Sequence, residues 1–179
     1  MRIGLLVGSL RKGSWNKKLA KEVADLLDVE SYLIDLSDMP FYNQDLDGAN
    51  PLDEYQRLRE DVKKCDGFIF ITPEYNRSLA PVLKNAIDIA SRGPEGNLWA
   101  KKPAAVFSST IGSMGAVSSN LALKQSFTCV DLISMSKPEV YIARINELFD
   151  KDGRLVEDTR KFLKSACDEF VSFAKKIIG

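Results

Sequence analysis

Short apolar runs that end abruptly in polar turns, each followed by helical periodicity, recur along this chain and leave it few architectures. Ile3, Leu5, Leu6 and Val7 form one such run, Gly67–Thr72 a second and Pro103–Ser108 a third. Strict alternation marks a strand with one wet face; these runs lack it and read as strands covered on both faces of a parallel sheet. Apolar residues at steps of three and four follow each run. They are Leu19, Ala20, Val23, Leu26 and Leu27 within Asn16–Leu27, then Leu83, Ile87 and Ala90 in a helix from about Ala80, then a helix over Val117–Phe127. Pro81 is tolerated in the first turn of its helix, where its missing N–H would have no partner anyway.

The remaining segments fit the same rhythm. Val29–Leu36 reads as a second strand, and Leu132–Ala143 as a fifth, extended one. Pro51 opens a helix with Leu52, Tyr55, Leu58, Val62 and Cys65 on one face. A last helix running to Ile178 carries Phe162, Ala166, Phe170, Phe173, Ala174 and Ile177 on one stripe. Ser37–Asn50 is a loop with Met39, Pro40, Phe41 and Tyr42 as an apolar knot, and Asp150–Asp158 is an acidic loop. Five strand–helix repeats imply an α/β domain spanning residues 1–179: a doubly wound, five-stranded parallel sheet with helices on both faces. Strand order 2-1-3-4-5 places strands one, three and four side by side, so that the polar turns at their carboxyl ends can meet one ligand.

The first turn, Gly8-Ser9-Leu10-Arg11-Lys12-Gly13-Ser14-Trp15-Asn16, looks built for an anion, because it leads into a helix whose first N–H groups lack intrahelical partners. Residues 1–21 hold six Lys or Arg and no Asp or Glu, a local bias in a chain balanced at 25 and 25. Neither common nucleotide fingerprint fits: Ser14-Trp15 follows Gly13 where a P-loop needs Lys-Ser/Thr, and Ser9-Leu10-Arg11 breaks Gly-x-Gly-x-x-Gly. Hydroxyls and a guanidinium suit a terminal phosphate monoester; the plainer reading is a polar turn with Ser14 as helix cap. Asp35, near the end of the second strand, stands where dinucleotide folds place a ribose ligand, but the missing glycine fingerprint weakens that reading. The second turn, Pro73-Glu74-Tyr75-Asn76-Arg77-Ser78, offers a rigid proline, a flat aromatic and an amide, groups that suit a planar heterocycle. Glu74 reads either as an ion-pair partner or as a residue whose main chain faces the ligand. Arg77 reads first as a solvated turn residue, with a coenzyme 2′-phosphate contact as the alternative. The third turn is Ser109-Thr110-Ile111-Gly112-Ser113-Met114-Gly115.

Bulk properties exclude several classes. Zero net charge gives no field for nucleic acid or an anionic membrane, and no apolar run reaches transmembrane length, so a cytoplasmic protein is expected. The absence of histidine removes Ser-His-Asp and Cys-His catalysis and the usual zinc sets. Cys65, Cys129 and Cys167 are isolated and read as core thiols, and no metal site is expected. Any hard chemistry then belongs to a cofactor.

The first two turns, together with Leu83-Lys84-Asn85-Ala86-Ile87-Asp88, resemble the NADPH-dependent FMN reductase family and its bacterial quinone, azo-dye and chromate reductases. The likeness continues through Lys102-Pro103, Leu123–Ser126, Lys137–Glu139 and Leu148–Leu155, nearly the whole chain. It implies a flavodoxin-like fold. By position, it implies that Ser9, Arg11, Ser14 and Asn16 hold the FMN phosphate, with Trp15 in the same loop. Pro73, Glu74, Tyr75 and Asn76 would border the isoalloxazine, and Ser109 and Thr110 would approach from the third turn. Departures at Ala80-Pro81, Ile89, Gly115-Ala116 and Leu123-Lys124 fall on substrate access and subunit contacts. The expected activity is hydride transfer from NAD(P)H through FMN N5 to a small acceptor such as a quinone, by ping-pong exchange in a homodimer or homotetramer. The rival readings are a flavodoxin-type electron carrier and a flavin-free nucleotide-binding regulator.

Overall fold

A computed structural model describes residues 1–179. Its strands are β1 (Arg2–Val7), β2 (Glu30–Leu33), β3 (Gly67–Thr72), β4 (Pro103–Ser109), β5 (Ile133–Ser134) and β6 (Val140–Ile142). Its helices are α1 (Trp15–Leu26), α2 (Asp53–Lys63), α3 (Pro81–Ala90), α4 (Val117–Cys129) and α5 (Glu157–Ile178). The sheet runs β2-β1-β3-β4-β5, with β6 also on β4, and all pairings are parallel. Central β3 and β4 are buried at every position, as their unbroken apolar runs require, while edge strand β2 is only partly covered.

The expected fifth strand is two pieces. Ile133–Ser134 pairs with Pro103–Ala104, and Val140–Ile142 pairs with Phe107–Ser109. Between them, Met135–Glu139 stands opposite only Ala105 and Val106, so the excess residues leave the ladder; Pro138, with no N–H to donate, lies in that excursion. The gap matters for the site, because β6 is thereby aligned with the carboxyl end of β4.

Each face of the sheet has its own core. Leu5, Val7, Ile69, Ile71 and Phe107 pack under α1 and α5. Leu6, Phe68, Phe70 and Val106 pack under α2, α3 and α4, around a buried Trp99 whose Nε1–H donates to Ile87 O at 3.0 Å. The α5 stripe is rotated from expectation: Leu163, Ala166, Cys167, Phe170 and Ala174 are buried, while Phe162 is exposed on the flank. Cys129 is likewise no core thiol. α4 runs two residues past the expected end at Phe127, and its last residue, Cys129, faces solvent. The helix expected from Pro51 begins instead at Asp53, where Asp53 and Glu54 sit against the positive end of the dipole.

Candidate functional site

The turns after β1, β3 and β4 come together at the carboxyl edge of the sheet, where side chains and close packing hold them. The first joins the second through a lack of bulk. A Cβ on Gly8 would lie 2.8 Å from Ala80 Cβ, 2.9 Å from Leu83 Cδ1 and 2.9 Å from Pro73 Cδ, so only glycine lets the β1 end lie against the second turn and α3. The first joins the third through amide and hydroxyl: Ser109 Oγ donates to Asn16 Oδ1 at 3.2 Å, and Asn16 Nδ2 contacts Ser109 O at 3.5 Å. The second is tied to the start of α4, the helix that follows the third turn, through Glu74, whose Oε2 accepts the Ser118 amide at 3.0 Å, and the end of β3 is tied to the same helix through Thr72 Oγ1, 2.8 Å from Ser119 Oγ.

The first turn keeps its donors free. Ser14 caps α1, its Oγ accepting from Lys17 N at 3.3 Å, and Ser14 N donates to Arg11 O. The amides of Arg11, Lys12, Gly13, Trp15 and Asn16 make no hydrogen bond within the chain, and the exposed Arg11 guanidinium has no carboxylate partner. Orphan N–H groups, a helix N-terminus and an unpaired guanidinium are the donor set a phosphate monoester requires. Ser9 and Ser14 are buried at its base. Trp15 points elsewhere: its ring packs 5.5 Å from Phe149, with Lys18 Nζ 4.2 Å above it, so it anchors α1 to the loop before α5.

The second turn is a tight two-residue reversal closed by Tyr75 N to Ser78 O and Ser78 N to Tyr75 O, both 3.0 Å. Its central residues, Asn76 and Arg77, have φ of 49° and 67°, the pattern of a type I′ turn. Asparagine tolerates that conformation; for arginine the left-handed region costs about 1–2 kcal/mol. Tyr75 is half-exposed beside it and Pro73 is partly covered. Glu74 makes no ion pair; its carboxylate instead serves the N-terminus of α4, whose own cap residue Ala116 has no side-chain acceptor.

The third turn rests on a buried hydroxyl. Ser108 Oγ lies 2.8 Å from Gly115 O and 3.1 Å from Val140 O, and accepts from Asn120 Nδ2 at 3.3 Å. Gly115, at φ 60°, is pressed against the backbone of Tyr141, where a Cβ would approach within 2.9 Å of its carbonyl carbon. Thr110 Oγ1 accepts from Gly112 N, and the segment after β6 docks on the turn through Ile145 N to Thr110 O at 3.0 Å and Arg144 N to Gly112 O at 2.9 Å. None of this docking was read from the sequence; the only local sign was polar residues after an apolar run. Asp35 is tied up locally. Its Oδ1 accepts from Ser37 N at 3.0 Å, which holds the carboxyl below its ordinary range, and it lines a groove of about 670 Å³ between α1 and β2 that includes only Ser9 and Leu10 of the first turn. That groove has the exposed Leu33 in its wall and touches the convergent turns only through the start of the first, with no residue of the second or third in its lining.

Residues 1–147 match the family model described as NADPH-dependent FMN reductase. A quinone reductase of Pseudomonas putida is 38% identical over 175 residues, 97% of this chain and 94% of that protein. A 2-hydroxy-1,4-benzoquinone reductase of Burkholderia sp is 35% identical, with 98% and 97% covered. The solved structure of FerB, a flavoenzyme NAD(P)H:(acceptor) oxidoreductase of Paracoccus denitrificans, superposes with a TM-score of 0.90 at 39% identity, covering 98% of this chain and 97% of that one. A flavodoxin mutant of Pseudomonas aeruginosa, at 14% identity and a TM-score of 0.63, shares the fold. The chain therefore belongs to the NADPH-dependent FMN reductase family, as an oxidoreductase with FMN as its flavin and NAD(P)H as its electron donor.

Proposed function

We propose that the protein reduces small quinones, taking hydride from NAD(P)H and returning it to the acceptor from one shared, open face. The observation that carries this reading is the fastening of three turns beside five unsatisfied amides. Bound FMN would supply the two-electron chemistry, accepting hydride at N5 and giving the reducing equivalents to a quinone in a ping-pong exchange. The free amides of Arg11, Lys12, Gly13, Trp15 and Asn16 and the Arg11 guanidinium would hold the phosphate, above the buried hydroxyls of Ser9 and Ser14. Pro73, Tyr75 and Asn76 would border the ring, and Ser109 and Thr110 would close its other edge. Glu74 would act at one remove, by tying the second turn to the start of α4, just after the third. The names of the relatives, quinone reductases among them, support the acceptor class.

Because the turns are pre-set by hydrogen bonds and close packing, binding need not order them first, and the protein's contribution is placement of two flat reactants at reacting distance. No protein side chain need act as nucleophile. The test is anaerobic: NADPH added to the flavin-loaded protein should bleach it rapidly, and a quinone should restore the yellow form. Initial-rate plots at several NADPH concentrations should be parallel; an intersecting pattern would refute the two-stroke scheme. Failure of either nucleotide to bleach the flavin would favour a single-electron carrier instead.

A further inference from the structure

The groove of about 670 Å³ between α1 and β2 reaches the three convergent turns only at Ser9 and Leu10, and its two walls differ in kind. One wall belongs to the sheet. Partners in a parallel ladder point their side chains to the same face, so Leu33, opposite Leu5, and Ser31, opposite Ile3, lie on the face that carries α1 and α5. Leu5 is 2% exposed and Leu33 60%, so the cover over that face ends between β1 and the edge strand. The other wall is helical. Lys17, Ala20, Lys21 and Ala24 recur at steps of three and four along α1, and this one stripe lines the groove. The helical wall from Lys17 to Ala24 runs about 10 Å and the strand wall from Ser31 to Asp35 about 13 Å, lengths that suit an extended chain better than a single ring.

The groove's charged residues are Lys17, Lys21 and Asp35. Lys17 Nζ donates to Leu10 O at 3.2 Å, and Lys21 has no carboxylate within ion-pair reach. The acids beside Lys21 on α1 are turned away: Glu22 pairs with Arg160, and Glu22 and Asp25 line a separate pocket toward α5 and the loop before it. Asp35 spends Oδ1 on Ser37 N. Two cations against one carboxylate leave the groove one positive charge in excess, above a largely apolar floor. A space of this size with apolar walls and few polar groups is the usual form of a small-molecule site. We propose that the groove binds an amphipathic monoacid, its hydrocarbon chain laid along Leu5, Val7, Ala24 and Leu33 and its carboxylate at Lys21, beside Lys17. Buried hydrocarbon supplies most of the affinity, and the exposed lysine supplies the choice of an acid over a neutral molecule. The site is separate from the flavin site, and the proposal does not depend on the reductase reading.

The test is calorimetry on the flavin-loaded protein, with decanoate as the probe and 1-decanol and hexanoate as references. Decanoate should bind at least threefold more tightly than 1-decanol, an advantage that salt erodes, and at least tenfold more tightly than hexanoate. Lys21→Glu should remove the advantage over 1-decanol and leave 1-decanol binding as it was. Leu33→Glu should weaken decanoate at least tenfold, and Ala24→Trp, which fills the groove, should abolish both ligands. Lys21 and Leu33 are exposed, so these two variants should melt as the parent does, which separates loss of the site from loss of the fold. The proposal is refuted if the parent does not bind decanoate, or if Lys21→Glu and Leu33→Glu both bind it as the parent does. Decanoate that displaces the flavin and ignores all three substitutions would lie in the flavin site, and the groove proposal would fail. If Leu33→Glu instead halves the mass in light scattering and decanoate does not bind, the groove is a contact between copies of the chain and the proposal again fails.

Discussion

At the scale of single residues, the site is a matter of which donors are left free and which acceptors are spent. Arg11 has no internal partner, so Arg11→Ala should leave folding intact and lower the flavin retained through gel filtration several-fold; unchanged flavin content would remove it from the phosphate cradle. Glu74 is spent on the Ser118 amide. Glu74→Ala should therefore cost about 1 kcal/mol, the usual worth of a helix cap, and lower the melting temperature by about 2–4 °C, whereas Glu74→Gln, which still offers an oxygen, should lose less. Calorimetric unfolding of the flavin-free variants separates this from any effect on the cofactor. That the first turn offers free donors at the start of a helix was legible from its serines, its arginine and its place between strand and helix. Trp15 was not: nothing in its neighbours announces that its ring leaves the turn for Phe149, far along the chain.

At the scale of elements, strands and helices were legible wherever burial is uniform along them. β3 and β4 are buried at every position and were read almost to the residue. The fifth strand was misread as continuous because β-formers lie on both sides of Pro138, and only pairing with β4 shows that the residues between cannot all fit its ladder. α2 hides a larger omission. Its buried face carries Arg59, which gives two bonds to Asp47, at 2.7 and 2.6 Å, and two to Ile89 O, at 3.2 and 3.1 Å, clamping the loop after β2 to the end of α3. With side-chain exposures of 7% and 2%, the pair is sealed from water, and removing one member strands the other charge. Asp47→Ala is expected to cost about 3–5 kcal/mol in denaturant unfolding, far more than any of the exposed pairs such as Lys161–Glu157. A charged residue on a helix looks solvated in sequence; its burial depends on a partner in a loop that no periodicity describes.

At the scale of the whole molecule, both cores contain a thiol whose ionisation the fold opposes. Burial pushes Cys65 up to about 11 and Cys167 up to about 12, from an ordinary value of 9.0. A raised folded value means that the contribution to stability is complete below about pH 9 and disappears as pH climbs toward 11–12, because the unfolded chain gains thiolates that the folded one resists. The melting temperature should fall progressively above pH 9, and Cys167→Ala, less stable at pH 7, should show a shallower decline. We also propose a homodimer or homotetramer built on the outer side of α4 and the third turn, where Ile111, Met114 and Leu121 are 66%, 54% and 53% exposed. Leu121→Glu should shift the protein toward monomer in light scattering; an unchanged mass would place the contact elsewhere. No helix is long and apolar enough to cross a membrane.

Local chemistry was enough to determine the α/β class and the three polar turns, since periodicity and turn composition act over short stretches of chain, whereas the 2-1-3-4-5 order was supposed by likeness to a flavodoxin-like sheet and is decided by the strand pairing. Tertiary structure alone decided how the turns are bound to one another. The Asn16–Ser109 pair spans 93 residues and Glu74–Ser118 spans 44, and Gly8 matters only because Ala80, Leu83 and Pro73 come to lie against it. Such contacts are encoded in no local pattern: a polar side chain carries the same identity whether its bond goes to water, to a ligand or to a distant turn, and only the packed fold removes the water.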